Sequence, residues 1–181
     1  MPPMRKGGLP VRAGQAEDAM IQALTQAREL LRELTPLHRD CGRLCDGACC
    51  QGDESSGMLL FPGEETLYEG KDTFRILPAS YTLCDRPALL LICTGSCHRE
   101  ERPLSCRLFP VFPAAAGLRM DPRAHALCPL SSSGLSGLSG DFLTACRAAA
   151  ELLHRDPECH AFLLAVEQTL QDPFGFAPRS I

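Results

Sequence analysis

The sequence predicts an α+β domain, helix-rich and loop-rich, in which short strands around an irregular centre are flanked by N- and C-terminal helices. Three observations carry that prediction. Apolar residues recur every three or four positions near both ends, over 16–34 and again over 141–171, the period of helices that bury one face. Between them lie compact apolar runs bounded by prolines, Ala88-Leu-Leu-Leu-Ile-Cys93 above all, with the length and make-up of buried strands. The chain also holds 15 glycines and 15 prolines in 181 residues. That exceeds the ordinary share of about 12% for the two together, so much of the backbone is loop.

Taken in order, residues 1–14 carry Pro, Gly and basic side chains without periodicity and predict a disordered arm. Residues 15–175 then form a single domain, the number a chain of this length supports, and 176–181 form a tail. Ile21, Leu24, Ala27, Leu31 and Leu34 share one helical face over 16–34, which Pro36 closes. Met58-Leu-Leu-Phe61 predicts a short strand or loop. Pro62-Gly-Glu-Glu then places Pro and acids where a short helix begins. Phe74–Leu77 and Ala88–Cys93 predict two buried strands bounded by Pro78 and Pro87, with helix left open for the second. Leu104 to Phe109 allows a turn or two of helix before Pro110, and Leu118–Met120 an edge strand. The Ser/Gly stretch 131–140 predicts a flexible connection. Asp141 is placed to cap a helix burying Phe142, Leu143, Cys146, Ala150 and Leu153. Asp156-Pro157-Glu158 restarts a second one, through about Gln171, that buries Phe162, Leu163, Val166 and Leu170.

Formal charge is −4 and the isoelectric point about 5.7, which excludes the broad basic face of a nucleic-acid binder. No apolar run approaches the roughly 18 residues needed to cross a bilayer, so no membrane partner is expected. The opening residues lack a signal-peptide core, and the expected location is cytoplasmic. In that reducing compartment the 11 cysteines serve as metal ligands or small buried hydrophobes rather than disulfides.

Four of those cysteines, Cys41, Cys45, Cys49 and Cys50, fall within ten positions. Adjacent Cys49 and Cys50 are poorly placed to pair with each other, because a disulfide spans about 5.5 Å between Cα atoms whereas neighbours are held at about 3.8 Å. The segment is also too polar for a core strand, with Arg43 and Asp46 inside it. Thiolates on a glycine-containing loop suit zinc, which takes four sulfur or nitrogen ligands, and equally an iron–sulfur cluster. Cys97, Cys106 and Cys128 lie in polar or loop contexts and supply distal ligands. The centre of the domain is therefore expected to be an irregular metal-centred core, with the quartet, Cys106 and Cys128 joined in one centre. Cys146 and Cys159 sit at helical positions and Cys93 ends an apolar run, so all three are expected in the core. Arg102 and Arg107 bracket Cys106 and favour its thiolate. Glu64 is an oxygen ligand or an acceptor supporting one, unless the helix dipole alone explains it.

Cys41-x3-Cys45-x3-Cys49-Cys50, Met58-Leu-Leu-Phe-Pro-Gly-Glu64, Cys97 and Arg102-Pro-Leu-Ser-Cys106-Arg-Leu-Phe-Pro110 together resemble the YkgJ-type cysteine-cluster family. Its members are described as zinc- or iron-chelating proteins and often labelled iron–sulfur oxidoreductases. The resemblance covers about residues 38 to 130. It implies Cys41, Cys45, Cys49, Cys50, Cys97, Cys106 and Cys128 as metal ligands, with the choice between Cys49 and Cys50 open.

Seven candidate thiolates exceed the four that one structural zinc occupies. The leading expectation is thus an iron–sulfur cluster protein with a redox or oxidoreductase role and a protein or redox partner. The alternative is a zinc-stabilised interaction module without catalysis. A radical-SAM enzyme fits poorly, because its Cys-x3-Cys-x2-Cys loop would need a cysteine where Ala48 stands. Cysteine nucleophilic catalysis lacks a local Cys–His–acid arrangement.

Overall fold

The computed structural model describes residues 13–50, 57–93 and 97–171. The expected tail and nearly all of the expected arm lie outside these residues. The first helix, α1, already starts at Ala13 and runs to Leu30, so the arm's last two positions belong to it. Its buried stripe is Met20, Leu24 and Ala27, continued by Leu31 beyond its end, while Ile21 lies at the edge with 38% exposure. Leu24, Ala27 and Leu31 are thus buried as expected, and Ile21 gives way to its neighbour Met20.

The secondary structure mixes helix and sheet, as an α+β chain should. Strand β1 (Met58–Leu59) is short, and a 3₁₀ turn at Glu64–Leu67 stands where the short helix was expected. Strands β2 (Phe74–Leu83) and β3 (Arg86–Cys93) form a hairpin, and β3 is the central strand of an antiparallel sheet ordered β1-β3-β2. Cys84 and Asp85 both have left-handed φ values, 50° and 59°, which a two-residue hairpin turn demands. Pro78 does not end β2 as expected. It sits where the pairing register shifts, on an edge strand that has no second neighbour to miss its N–H.

Helix α2 (Leu104–Leu108) leads into the hairpin of β4 (Val111–Ala114) and β5 (Gly117–Met120), and α3 (Ala124–Leu127) follows. Residues 131–140 are not a plain connection. They lie in 3₁₀ turns, Pro129–Ser133 and Leu135–Gly137, and the Ser139 amide donates to the Pro36 carbonyl at 2.8 Å. Helix α4 (Gly140–Arg155) is preceded by Ser139 rather than capped by Asp141, which stands in its first turn. Helix α5 (Pro157–Gln171) begins where expected, with the Asp156 carboxylate accepting the Cys159 amide at 2.9 Å.

The main core is apolar. Phe142, Cys146, Ala149 and Leu153 of α4 are fully buried, α1 and α5 pack against that helix, and Cys159, Phe162, Leu163 and Val166 extend the core. Ala88, Leu90 and Ile92 of β3 face this core. Their alternates Leu89, Leu91 and Cys93 turn to a second, smaller cluster with Leu60, Tyr68 and Phe74, as a two-residue strand period requires. Cys146 and Cys159 are core residues as expected, and Cys93 belongs to the other face.

Candidate metal centre

Eight cysteines gather from four stretches of chain. Cys41 opens a 3₁₀ turn (Cys41–Leu44) whose first amides are capped by Asp40, its carboxylate accepting the Gly42 N–H at 3.1 Å. Asp46 and Gly47 then adopt left-handed φ values of 51° and 66°. They reverse the chain so that Gly47 N–H reaches Gly42 O at 3.0 Å, and glycine supplies that conformation at little cost. A second 3₁₀ turn (Ala48–Cys50) follows, closed by Cys50 N–H to Gly47 O at 2.7 Å. Neither turn contains a buried residue. Cys93 ends β3, Cys106 lies within α2, and Cys128 caps the C-terminus of α3, its sulfur accepting the amides of Leu130 and Ser131.

These thiols line two adjoining clefts. Cys41, Cys45 and Cys128 line one, Cys50, Cys93 and Cys97 the other, and Cys49 and Cys106 line both. The seven cysteines expected as ligands are thus brought to one region. Sequence reasoning missed the eighth, Cys93. The signal was there, since Cys93-x3-Cys97 repeats the spacing of Cys41-x3-Cys45 and Cys45-x3-Cys49. Cys84 is exposed at the hairpin turn, outside both clefts.

Two pairs of thiols are in direct contact. Cys50 is pulled down to about 7 by its hydrogen bond with Cys49 and by Arg102, and Cys97 to about 6 by Cys93 and by Arg102. The donors of these bonds, Cys49 and Cys93, are correspondingly raised. Burial raises Cys106, and the nearby Arg102 offsets this only in part. The expected thiolate-favouring bracket around Cys106 is therefore corrected. Of the two arginines, Arg102 is the one that lowers the Cys106 thiol, and it hydrogen bonds Cys97. Arg107 turns away and donates to the carbonyls of Arg102 (2.9 Å), Glu100 (2.7 Å) and Arg28 (3.2 Å).

Glu64 is 1% exposed and lies behind the cluster. Its Oε1 accepts Arg28 Nη1 at 2.6 Å and the Leu104 amide at 2.7 Å, and its Oε2 the Phe61 amide at 3.2 Å. Burial pushes its carboxyl up, against the pull of the Leu104 amide and the Arg28 guanidinium. Leu104 is the first residue of α2, so Glu64 fixes the start of the helix that carries Cys106. It positions that thiol rather than serving as an oxygen ligand. Arg28 also donates to the Tyr68 hydroxyl at 3.0 Å, which donates in turn to Glu101 O at 2.9 Å.

The chemistry of the donor set fits a thiophilic metal or cluster: thiolates are the ligands zinc and iron–sulfur centres take. Two cationic nitrogens fit it as well. Arg99 Nη2 and Arg102 Nε are buried without a hydrogen-bond partner, both side chains line the first cleft, and a thiolate-rich centre would be the negative group they lack. Among the described residues no three Cys, His, Asp or Glu side chains form a ready-made coordination shell, and none of the described helices is long and apolar enough to cross a membrane. Set against known proteins, the chain matches no family model, no curated protein and no solved structure.

Proposed function

We propose that this chain is a cysteine-cluster metalloprotein that binds an iron–sulfur centre and serves a redox role, in keeping with the YkgJ-type resemblance. The observation that carries the reading is the sorting of its cysteines. Eight from four separate stretches line two adjoining clefts, while Cys146 and Cys159 are packed in the apolar core. Cysteines serving only as small hydrophobes would be expected in that core, whereas these eight are half-buried and converge on two clefts, the first also lined by Arg99 and Arg102, of which Arg99 Nη2 and Arg102 Nε are buried without a hydrogen-bond partner.

An iron–sulfur centre would supply one-electron chemistry at this face. The chain's own residues prepare the place for it. Arg102 holds Cys97 toward the thiolate form, Arg107 ties residues 100–102 to the end of α1, and Glu64 fixes the helix that carries Cys106. Cys41, Cys45, Cys49 and Cys50 would hold the centre from the two 3₁₀ turns, which contain no fully buried residue, with Cys93, Cys97, Cys106 and Cys128 from the other stretches.

Those turns support a second reading. A segment without a fully buried residue would gain much of its order from a metal, as in zinc-stabilised interaction modules. Anaerobic purification from iron-replete cells separates the two. Iron with acid-labile sulfide and a brown absorption that bleaches on reduction supports the redox reading. Colourless protein with stoichiometric zinc replaces it with the structural module. Protein free of both metals overturns both.

A further inference from the structure

The eight thiols do not form one undivided group. Cys41, Cys45 and Cys128 line only the first cleft, and Cys50, Cys93 and Cys97 only the second. The boundary falls between the adjacent residues Cys49 and Cys50, whose side chains hydrogen bond across it. Two thiols line both clefts, and their neighbours decide where each belongs. Cys106 is an electrostatic neighbour of Cys50, Cys93 and Cys97, which are all neighbours of one another. Cys49 is an electrostatic neighbour of Cys50, Cys106 and Cys45; with Cys106 placed among the second group, Cys49 is the fourth thiol beside Cys45, which adjoins both Cys41 and Cys128. The eight therefore divide into four and four, and four thiolates complete either a tetrahedral zinc site or an iron–sulfur cluster.

We infer that the chain carries two four-thiolate sites, one from Cys41, Cys45, Cys49 and Cys128 and the other from Cys50, Cys93, Cys97 and Cys106. The inference rests on the metal-binding reading above and deepens it. It assigns Cys49 and Cys50 to different sites, so that the adjacent pair links the two centres. It also gives Cys93, at the end of the central strand, a ligand's role. Cys84, Cys146 and Cys159 remain outside.

The test is an anaerobic titration of the reduced, metal-free full chain with cobalt(II). Thiolate-to-cobalt charge-transfer absorption and native mass spectrometry count the equivalents. Wild type should take up two cobalt ions, each with tetrathiolate intensity. Cys41→Ser with Cys128→Ser should leave one, Cys93→Ser with Cys97→Ser should leave the other, and all four together none. Single changes provide the same division should a double variant fail to fold: Cys49→Ser removes the first equivalent and Cys50→Ser the second. Saturation of wild type at one cobalt, or loss of both equivalents from either pair, means one shared centre and overturns the inference while leaving the metal-binding reading in place. Absence of any thiolate–cobalt absorption from reduced wild type overturns both.

Discussion

Glu64 is the residue through which the scaffold behind the thiols is most directly tested. All three groups bonded to its carboxylate are donors: the Arg28 guanidinium and the amides of Leu104 and Phe61. Among the described residues no acceptor faces it for a carboxyl proton, so the ionised form is the one its surroundings satisfy. Glu64→Ala breaks a pair whose members are 16% and 1% exposed, and losing one partner of such a pair costs about 3–5 kcal/mol. The two amides left without an acceptor belong to the same loss and are not added again. Glu64→Gln keeps the Oε1 acceptor for Arg28 and Leu104 but sets an amide NH₂ against the Phe61 N–H, donor against donor. That change costs about 1–3 kcal/mol.

Urea unfolding of the full chain reads these differences. With a slope of about 2 kcal/mol per molar, the midpoint falls by roughly 2 M for Glu64→Ala and by about 1 M for Glu64→Gln. An alanine variant within about 0.3 M of wild type would refute the anchoring role. A glutamine variant as stable as wild type would refute the ionised form, because only a protonated carboxyl is matched in shape and charge by an amide.

Two further outcomes follow from the same interior. Tyr68 is buried, and burial raises its hydroxyl above the ordinary value of 10.0. The proton it donates to Glu101 O thus stabilises the fold fully below pH 10 and less as pH climbs toward the folded value. Tyr68→Phe should cost about 1 kcal/mol at pH 8, and the cost should shrink above pH 10; urea midpoints across that range check it, and a cost that grows with pH refutes it. Iodoacetamide on the native chain should leave Cys146 and Cys159, both 0% exposed, untouched until unfolding, as peptide mass mapping would reveal.

The α+β character was legible because both periodicities are strong over long stretches, and the helices at each end stand close to where the pattern puts them. What slipped was local context. At the start of α1 the stripe of Leu24, Ala27 and Leu31 is continued by Met20 rather than Ile21. Pro78 was taken as a strand end because a sequence does not state which strand is at an edge. Cys93 was assigned to the core because the run Ala88–Cys93 is apolar throughout and hides its alternation. Only the packing separates Ala88, Leu90 and Ile92 from Leu89, Leu91 and Cys93. The opposite directions of Arg102 and Arg107 were likewise beyond reach, because they depend on how α2 is turned against α1.

The two groups of thiols are held by different means, and this bears on what a metal would do for each. Cys93, Cys97 and Cys106 sit on or beside elements fixed by the core: a central strand, a loop whose carbonyls Arg107 gathers, and a helix whose first amide Glu64 accepts. Cys41, Cys45 and Cys49 sit on short 3₁₀ turns that contain no fully buried residue and carry local hydrogen bonds and an aspartate cap. Ligation at the first three positions would add to a scaffold already in place, so its free energy would go mainly into affinity. Ligation at the other three would also have to order the segment that carries them, and part of that free energy would become folding free energy. Three of the eight sulfurs thus stand on a scaffold already in place, and three on turns that a metal would help to order.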